Sequence, residues 1–240
     1  MSFRKYSILI SFLLLSISLI SQSFVGEEKY YIWFDQITGQ ENTSLFNGKT
    51  FIYKYRTEKR NHNYFKHDEF SKGLIHYKEQ PYFDIDLKYD IHNDEIIVNL
   101  KGSFGFNMFI LYKEFVKGFQ IYDRNFVKLN LNSNGLNLKG FYEVSYNGLR
   151  INLYTKHYKS RREYVHQNTV LSKFSEKNKN IVHFEDAYYL VETKKDIKQV
   201  FPNLKDKINL IYKQNKRFKK SDPDIFMKDL MRQIDDILRN

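Results

Sequence analysis

Alternation of apolar and polar residues dominates the chain from Thr50 to about Val191 and constrains its fold more than any other feature. Successive side chains of a strand point to opposite faces, so this pattern predicts strands with one buried and one solvated face. The clearest case covers residues 83–92, where Phe83 and every second residue after it are apolar. Between them lie the residues of the predicted wet face: Asp84, Asp86, Lys88, Asp90 and His92.

Turn signals divide this region into short strands. Asn93-Asp94 predicts a turn that leads into a partner strand over residues 95–100. Asn147-Gly148 predicts a tight hairpin turn between strands at residues 142–146 and 149–153, with positive φ at both turn residues. Residues 161–180 are polar and irregular, and we predict a loop there with at most one short strand. Further strands are predicted at residues 50–55, 73–77, 106–112, 115–122, 125–131 and 187–191.

After Thr193 the apolar period becomes helical. Thr193 with Asp196 three residues later is typical of a capping box, and Pro202 separates this short helix from the next. A second helix places Leu204, Ile208, Ile211 and Tyr212 on one face, and a third begins at residues 221–224 with Pro223 in its first turn. The third helix should bury five apolar residues: Phe226, Leu230, Ile234, Ile237 and Leu238.

These patterns predict a mainly β (α+β) fold. Strands every 8 to 14 residues without helices between them favour an antiparallel β meander that forms a barrel or a sandwich, followed by two to three C-terminal helices. We predict an antiparallel β domain over residues 24–192. Residues 193–240 would form a basic amphipathic helical segment packed on that domain.

The first 23 residues have the features of a signal peptide. Arg4 and Lys5 precede an apolar run over residues 7–20, and Ser21 and Ser23 are the small residues that a signal peptidase reads. The run is shorter than the roughly 20 residues that span a bilayer. We therefore expect cleavage after Ser23 and export to the periplasm or outer membrane, or secretion.

The chain has no cysteine, which excludes disulfides, thiolate nucleophiles and sulfur-ligated metals. Neither a phosphate-binding glycine loop nor a Gly-x-Ser-x-Gly serine turn occurs, so we predict no cofactor and no enzymatic activity. Gly102-Ser103-Phe104-Gly105 indicates only a turn. Two basic aromatic stretches, residues 53–56 and 158–162, could bind nucleic acid, but an exported chain rarely meets it, and we predict no nucleic-acid partner.

Two groups of residues resemble metal ligands. Asp84, Asp86, Asp90 and His92 would share one strand face, but Lys88 in their midst disfavours a cation there. The spacing of the second group matches no helical two-histidine site, and polar turn residues explain it equally well: His62, His67, Asp68 and Glu69. We predict no metal site.

Positive charge is concentrated in the tail. The formal charge of +11 becomes +9 without Arg4 and Lys5, and residues 194–240 hold 13 basic and 7 acidic residues. Such a segment can contact lipid headgroups or an acidic polymer, although a solvated surface explains it too. The candidate partner-binding residues are Lys205, Lys213, Lys216, Arg217, Lys219 and Lys220.

The chain resembles a family of exported Bacteroidota (flavobacterial) envelope proteins that has no established activity. The resemblance covers most of the mature chain, through residues 44–48, 81–91, 140–143 and 194–220. It implies an envelope setting and a β body with a basic helical C-terminus.

Three functions remain open on the sequence. The leading one is a non-enzymatic envelope protein that binds a protein or an anionic polymer, with peripheral membrane contact as a further option. The second is a small-ligand carrier with an aromatic-lined barrel interior, suggested by 19 Tyr and 21 Phe. The third is an envelope glycan or peptide hydrolase, since paired carboxylates can be assembled in space without a local motif.

Overall fold

A large antiparallel sheet carries most of the fold in this computed structural model, which describes residues 23–239. The strands are β1 Lys49–Thr50, β2 Ser71–Tyr77, β3 Gln80–Asp90, β4 Glu95–Gly102, β5 Gly105–Ile110, β6 Val116–Ile121, β7 Arg124–Ser133, β8 Leu136–Asn147, β9 Ile151–Lys156, β10 Lys159–His166, β11 Thr169–Glu176, β12 Lys179–Phe184 and β13 Ala187–Leu190. The helices are α1 Ser23–Thr38, α2 Lys194–Val200, α3 Lys205–Gln214, α4 Lys216–Ser221 and α5 Pro223–Arg239. Single 3-10 turns lie at Gln40–Asn42, Ser44–Phe46, Lys113–Phe115 and Pro202–Leu204.

The sheet is an open meander of 11 strands in the order β1-β5-β4-β3-β2-β6-β7-β8-β9-β12-β13. Two runs of consecutive hairpins, β2 to β5 and β6 to β9, are joined where β2 pairs with β6. The predicted mainly β meander with C-terminal helices is confirmed. The sheet does not close on itself, because its outermost strands are β1 and β13.

The two largest of the hydrophobic cores among the described residues stabilise the sheet. The first core lies among β2, β3, β4, β6, β7 and β8 and is rich in aromatic rings, with Phe119 stacked on Phe126 at 4.6 Å between centroids. The second core joins Ile151, Leu153 and Val182 of β9 and β12 to the C-terminal helices. Burial of these apolar side chains is the main favourable contribution to folding.

The alternation in β3 is broken by a bulge. Gly73 of β2 pairs with Ile85, whereas Ile75 pairs with Tyr82, so β3 has one extra residue between them. Asp84 takes up the extra length with a φ of 54°. The bulge puts Tyr82 on the buried side and leaves Phe83 half-buried, contrary to the register predicted from the sequence.

The prediction that one face of β3 is exposed to solvent is also wrong at the C-terminal end of the strand. Lys88 and Asp90 are each only 3% exposed, because the chain between β1 and β2 crosses over them. The ammonium of Lys88 lies 4.5 Å from the ring centre of Tyr64 and 4.6 Å from that of Phe70. Such contacts and an ion pair with Asp68 at 3.2 Å offset the desolvation of the cation.

The hairpin between β8 and β9 is confirmed, but its turn lies elsewhere than predicted. Neither Asn147 nor Gly148 has positive φ. The N–H of Gly148 donates to the carbonyl of Ile151, so Leu149 and Arg150 form the turn. The turn is fixed by Asp235, a residue far away in the sequence.

Two loop and strand assignments need correction. Residues 161–180 form most of the β10–β11 hairpin rather than a loop, with Gln167 and Asn168 both at positive φ in its two-residue turn. Of the strand predicted over residues 50–55, only Thr50 belongs to a strand. The N–H of Phe51 still donates to the carbonyl of Met108 on β5, but by Arg56 the chain lies beside β11, where the carbonyl of Arg56 accepts from the N–H of Ser172.

The helical tail follows the sequence closely. Thr193 and Asp196 form the capping box of α2, and Pro223 begins α5. The second predicted helix, which carries Leu204, Ile208 and Ile211, is broken at Asn215 into α3 and α4. On α5 the residues Phe226, Leu230 and Ile234 are buried as predicted, while Ile237 and Leu238 are half-buried.

Helix α1 was not predicted from the sequence. It occupies residues assigned to the β domain and packs against β3, with Tyr31 6.1 Å from Phe83 between ring centres. Residues 1–22 of the predicted signal peptide lie outside the described residues.

Candidate functional site

The tail is locked to the sheet by the carboxylate of Asp235 on α5, whose side chain is fully buried. It accepts hydrogen bonds from the backbone N–H groups of the β8–β9 turn, at 3.1 Å from Leu149, 2.9 Å from Arg150 and 3.1 Å from Ile151. The hydroxyl of Tyr146 donates to it at 2.9 Å, and Arg239 pairs with it at 2.5 Å. We call this arrangement the Asp235 clamp. Burial alone would raise the pKa of Asp235, but the hydrogen bonds from Arg150, Arg239 and Tyr146 outweigh it and lower the pKa.

The six basic residues predicted as partner-binding residues lie on two successive helices, two of them on α3 and four on α4. All six are exposed, and we call them the basic surface: Lys205, Lys213, Lys216, Arg217, Lys219 and Lys220. The break is formed by Asn215, whose side-chain amide and backbone N–H both donate to the carbonyl of Ile211. The structure therefore displays these cations on a helical support.

The basic surface has little opposing charge near it in the sequence. No acidic residue occurs from Lys207 to Ser221. None of the six forms an ion pair with another described residue, whereas Lys72, Lys113 and Lys156 do. Lys219 rests on the ring of Tyr212 at 4.9 Å from its centre, as does Lys194 at 5.1 Å. These cations remain available to an anionic partner.

A cluster of partly buried charges closes one end of the first core around Asp94. This carboxylate accepts from the hydroxyl of Tyr89 at 2.6 Å, pairs with Lys156 at 2.7 Å and also pairs with Lys113. Burial raises the pKa of Asp94, but the charge of Lys156 and the hydrogen bonds from Lys113 and Lys156 lower it further than burial raises it. The cluster is internally satisfied and serves stability.

A second buried cluster holds a glutamate and a histidine. The carboxylate of Glu143 lies 2.6 Å from Nε2 of His157 and 2.8 Å from Nη1 of Arg124. Burial raises the pKa of Glu143, but the hydrogen bond and charge of His157 and the charge of Arg124 lower it overall. The imidazole packs on Phe65 at 4.7 Å between ring centres. Glu143 and the ring of Phe65 thus enclose this histidine, which is 6% exposed.

In neither of the two groups of possible metal ligands do the side chains converge on a common point. Asp90 accepts from Asn63 and Asn93, each at 2.7 Å, and so caps the β3–β4 turn. Asp84 and Asp86 instead pair with Lys72. Within residues 28–239, whose side chains are described, no group of three or more His, Asp or Glu residues is placed to hold a metal ion.

The carrier hypothesis requires space inside the sheet, and that space is filled with side chains. Aromatic rings contact one another there at ring-centre distances between 4.6 and 6.1 Å; they belong to Tyr89, Phe119, Phe126 and Phe141.

An open groove of about 600 Å³ lies outside this core, between α1 and the β3–β4 side of the sheet. Asp35 of α1 lines this groove. Its carboxylate oxygens have no hydrogen-bond partner among the described residues, and burial raises its pKa.

Helix α1 also carries an apolar stripe that the sequence analysis missed. Tyr30, Trp33, Phe34 and Ile37 recur at helical spacing, and each is between 54% and 73% exposed. We call these four residues the aromatic stripe. The spacing i, i+3, i+4 and i+7 in the printed sequence would have indicated a helix here.

Comparisons of the chain with protein-family models, curated proteins and solved structures found no match. Among residues 23–239, none of the helices is long and apolar enough to cross a membrane.

The Asp94 cluster should make stability depend on pH. The folded pKa of Asp94 is below its ordinary value, so its contribution is complete above about pH 4 and is lost as the pH falls through the folded pKa. We expect Asp94→Asn to lower the free energy of unfolding by about 2 kcal/mol at neutral pH. This difference from the wild type should shrink toward zero in acid. Urea unfolding of both proteins between about pH 2 and 7 measures it, and a difference that does not change with pH would refute the assignment.

Proposed function

We propose that the protein is a non-enzymatic, exported protein of the cell envelope that binds an anionic polymer or an acidic protein through the basic surface. The periplasm or the outer membrane is the proposed location, in keeping with the leader-like residues 1–23. The observation that carries the proposal is the set of six exposed cations without ion-pair partners among the described residues.

The way the tail is held supports this function. The Asp235 clamp and the second core fix the helices on the sheet, so the basic surface does not need to be ordered when a partner binds. A preformed site loses less conformational entropy on binding than a flexible tail does. The buried clusters around Asp94 and Glu143 are internally paired, which favours binding over catalysis.

Neutralising the basic surface should strongly weaken binding to a polyanion. We expect a variant with all six residues replaced by Gln to bind dextran sulfate about 100-fold more weakly than the wild type at low salt. The wild-type affinity should fall steeply with salt, because the attraction is screened. Fluorescence anisotropy with labelled dextran sulfate, and with uncharged dextran as a probe of non-ionic binding, measures both effects.

A matched variant removes the same charge elsewhere. Six other exposed lysines outside the tail can be replaced by Gln: Lys54, Lys59, Lys101, Lys139, Lys173 and Lys177. This control should keep most of the affinity. Equal losses in the two variants would mean that net charge alone drives binding, and the proposed surface would be wrong.

A further inference from the structure

The aromatic stripe on α1 has no covering partner among the described residues, although helix α1 packs its other side on β3. Its residues are those of an interfacial membrane anchor, since Trp and Tyr have an apolar ring and a polar group that suit the level of lipid headgroups. This surface is separate from the basic surface, which lies on α3 and α4.

A second exposed aromatic group is tied to the end of α1. The β4–β5 turn presents Phe104, which is fully exposed, and Phe106 follows it at the start of β5. The side chain of Gln40, just after α1, accepts from the N–H of Lys101 at 2.7 Å. The carboxylate of Glu41 accepts from the N–H of Ser103 at 2.6 Å and from its hydroxyl. The hairpin tip and the end of α1 are therefore held together.

We propose that the aromatic stripe, with Phe104 at the hairpin tip, docks the protein on the surface of an anionic lipid bilayer. Residues 7–20 form an apolar run that ends just before α1, so the helix follows directly on the segment of the chain that meets the membrane. The charge of +9 without the leader attracts the protein to anionic headgroups, and the stripe then supplies apolar contact.

The size of the stripe favours a bilayer over a second copy of the chain. Four residues over seven positions of a helix extend about 10 Å. Their exposed area is on the order of 500 Å², below the roughly 800 Å² per partner that stable protein interfaces bury. A bilayer has no such threshold, because each inserted side chain adds its own contribution.

The only tryptophan of the chain, Trp33, lies in the stripe and reports on docking. We expect its emission to shift to the blue when the protein without residues 1–23 meets vesicles of phosphatidylglycerol and phosphatidylethanolamine, and brominated lipids to quench it. Phosphatidylcholine vesicles should give a weaker effect. The double variant Phe34→Ser/Ile37→Ser keeps Trp33 and should reduce vesicle binding tenfold or more, on the order of the loss of two buried apolar side chains.

A matched control substitutes two exposed apolar residues on the β10–β11 hairpin, Val165→Ser/Val170→Ser, and should bind vesicles like the wild type. A cooperative urea transition verifies that each variant is folded. The six-fold Gln variant of the basic surface should still show a vesicle-induced blue shift, which separates this proposal from polyanion binding.

Three results would overturn the proposal. One is unchanged Trp33 emission in the presence of anionic vesicles. Another is full vesicle binding by the Phe34→Ser/Ile37→Ser variant. The third is a blue shift that depends on protein concentration without lipid, together with a dimer in sedimentation that the same variant abolishes, because a second copy would then cover the stripe.

Discussion

Asp235→Ala is expected to lower the free energy of unfolding by about 3–5 kcal/mol, as is usual when one partner of a buried charged network is removed. The substitution leaves three N–H groups of the β8–β9 turn and the hydroxyl of Tyr146 without their acceptor. It also leaves Arg239 without its buried partner. Urea or thermal unfolding of the purified variant measures the loss.

The neighbouring carboxylate provides the control. Asp236 lies next to Asp235 on α5 but is half exposed, and its ion pairs with Arg232 and Arg239 are at the surface. Asp236→Ala should therefore cost less than about 1 kcal/mol. If the two variants were equally stable, the Asp235 clamp would not be what holds α5 on the sheet.

Gly140→Ala should destabilise the protein by about 2–5 kcal/mol, the sum of backbone strain and overpacking. Gly140 has a φ of 97°, which residues with a side chain rarely adopt. Its added methyl group would also collide with Oδ2 of Asp94 and lie 2.8 Å from Nζ of Lys156. That carboxylate cannot easily move away, because Tyr89, Lys113 and Lys156 hold it.

Gly135→Ala is the control that measures the cost of backbone strain without a steric clash. Gly135 also has positive φ, at 77°, but nothing lies within 4 Å of the position that its Cβ would occupy. We expect this variant to lose only about 1–2 kcal/mol, which is the cost of the left-handed conformation alone. Equal losses at the two glycines in equilibrium unfolding would show that the Asp94 cluster yields to the methyl group.

Much of the sheet was predictable because alternation depends on local burial. Strands β2, β4, β6 and β7 lie close to their predicted bounds, and β8 and β9 form the predicted hairpin. The first residues of two C-terminal helices were predictable for a similar reason. Thr193 caps α2 and Pro223 begins α5, and both effects depend only on residues within one helical turn.

The turns were harder to predict, because residue types near a turn do not by themselves decide its position. Asn147-Gly148 has the strongest turn signal, yet it is not the turn, because Asp235 holds the next two residues instead. By contrast, Lys78-Glu79, Tyr122-Asp123 and Glu185-Asp186 adopt positive φ at both turn residues. Strand pairing on both sides imposes this geometry on residues that do not favour it.

The candidate site was also predictable only in part. The basic surface could be identified from the sequence, because the excess of Lys and Arg in the tail is counted along the chain and does not depend on the fold. The burial of Lys88 and Asp90 was not predictable, because the segment that covers them comes from residues 51–70. The i, i+3, i+4 and i+7 spacing of the aromatic stripe is present in the sequence, but apolar residues on the opposite side of α1, which packs on β3, weaken the amphipathic contrast that makes such a helix easy to recognise.

The position of the Asp235 clamp ties the durability of the sheet to the synthesis of α5, which is made after every strand that it covers. Ribosomes make β9 and β12 many residues before Phe226, Leu230 and Ile234, which cover them. A product that stops short of α5 would expose an apolar sheet face to proteases and to other nascent chains. Only a polypeptide translated through α5 acquires both the cover and the carboxylate that fastens it, so products that stop before α5 should be short-lived.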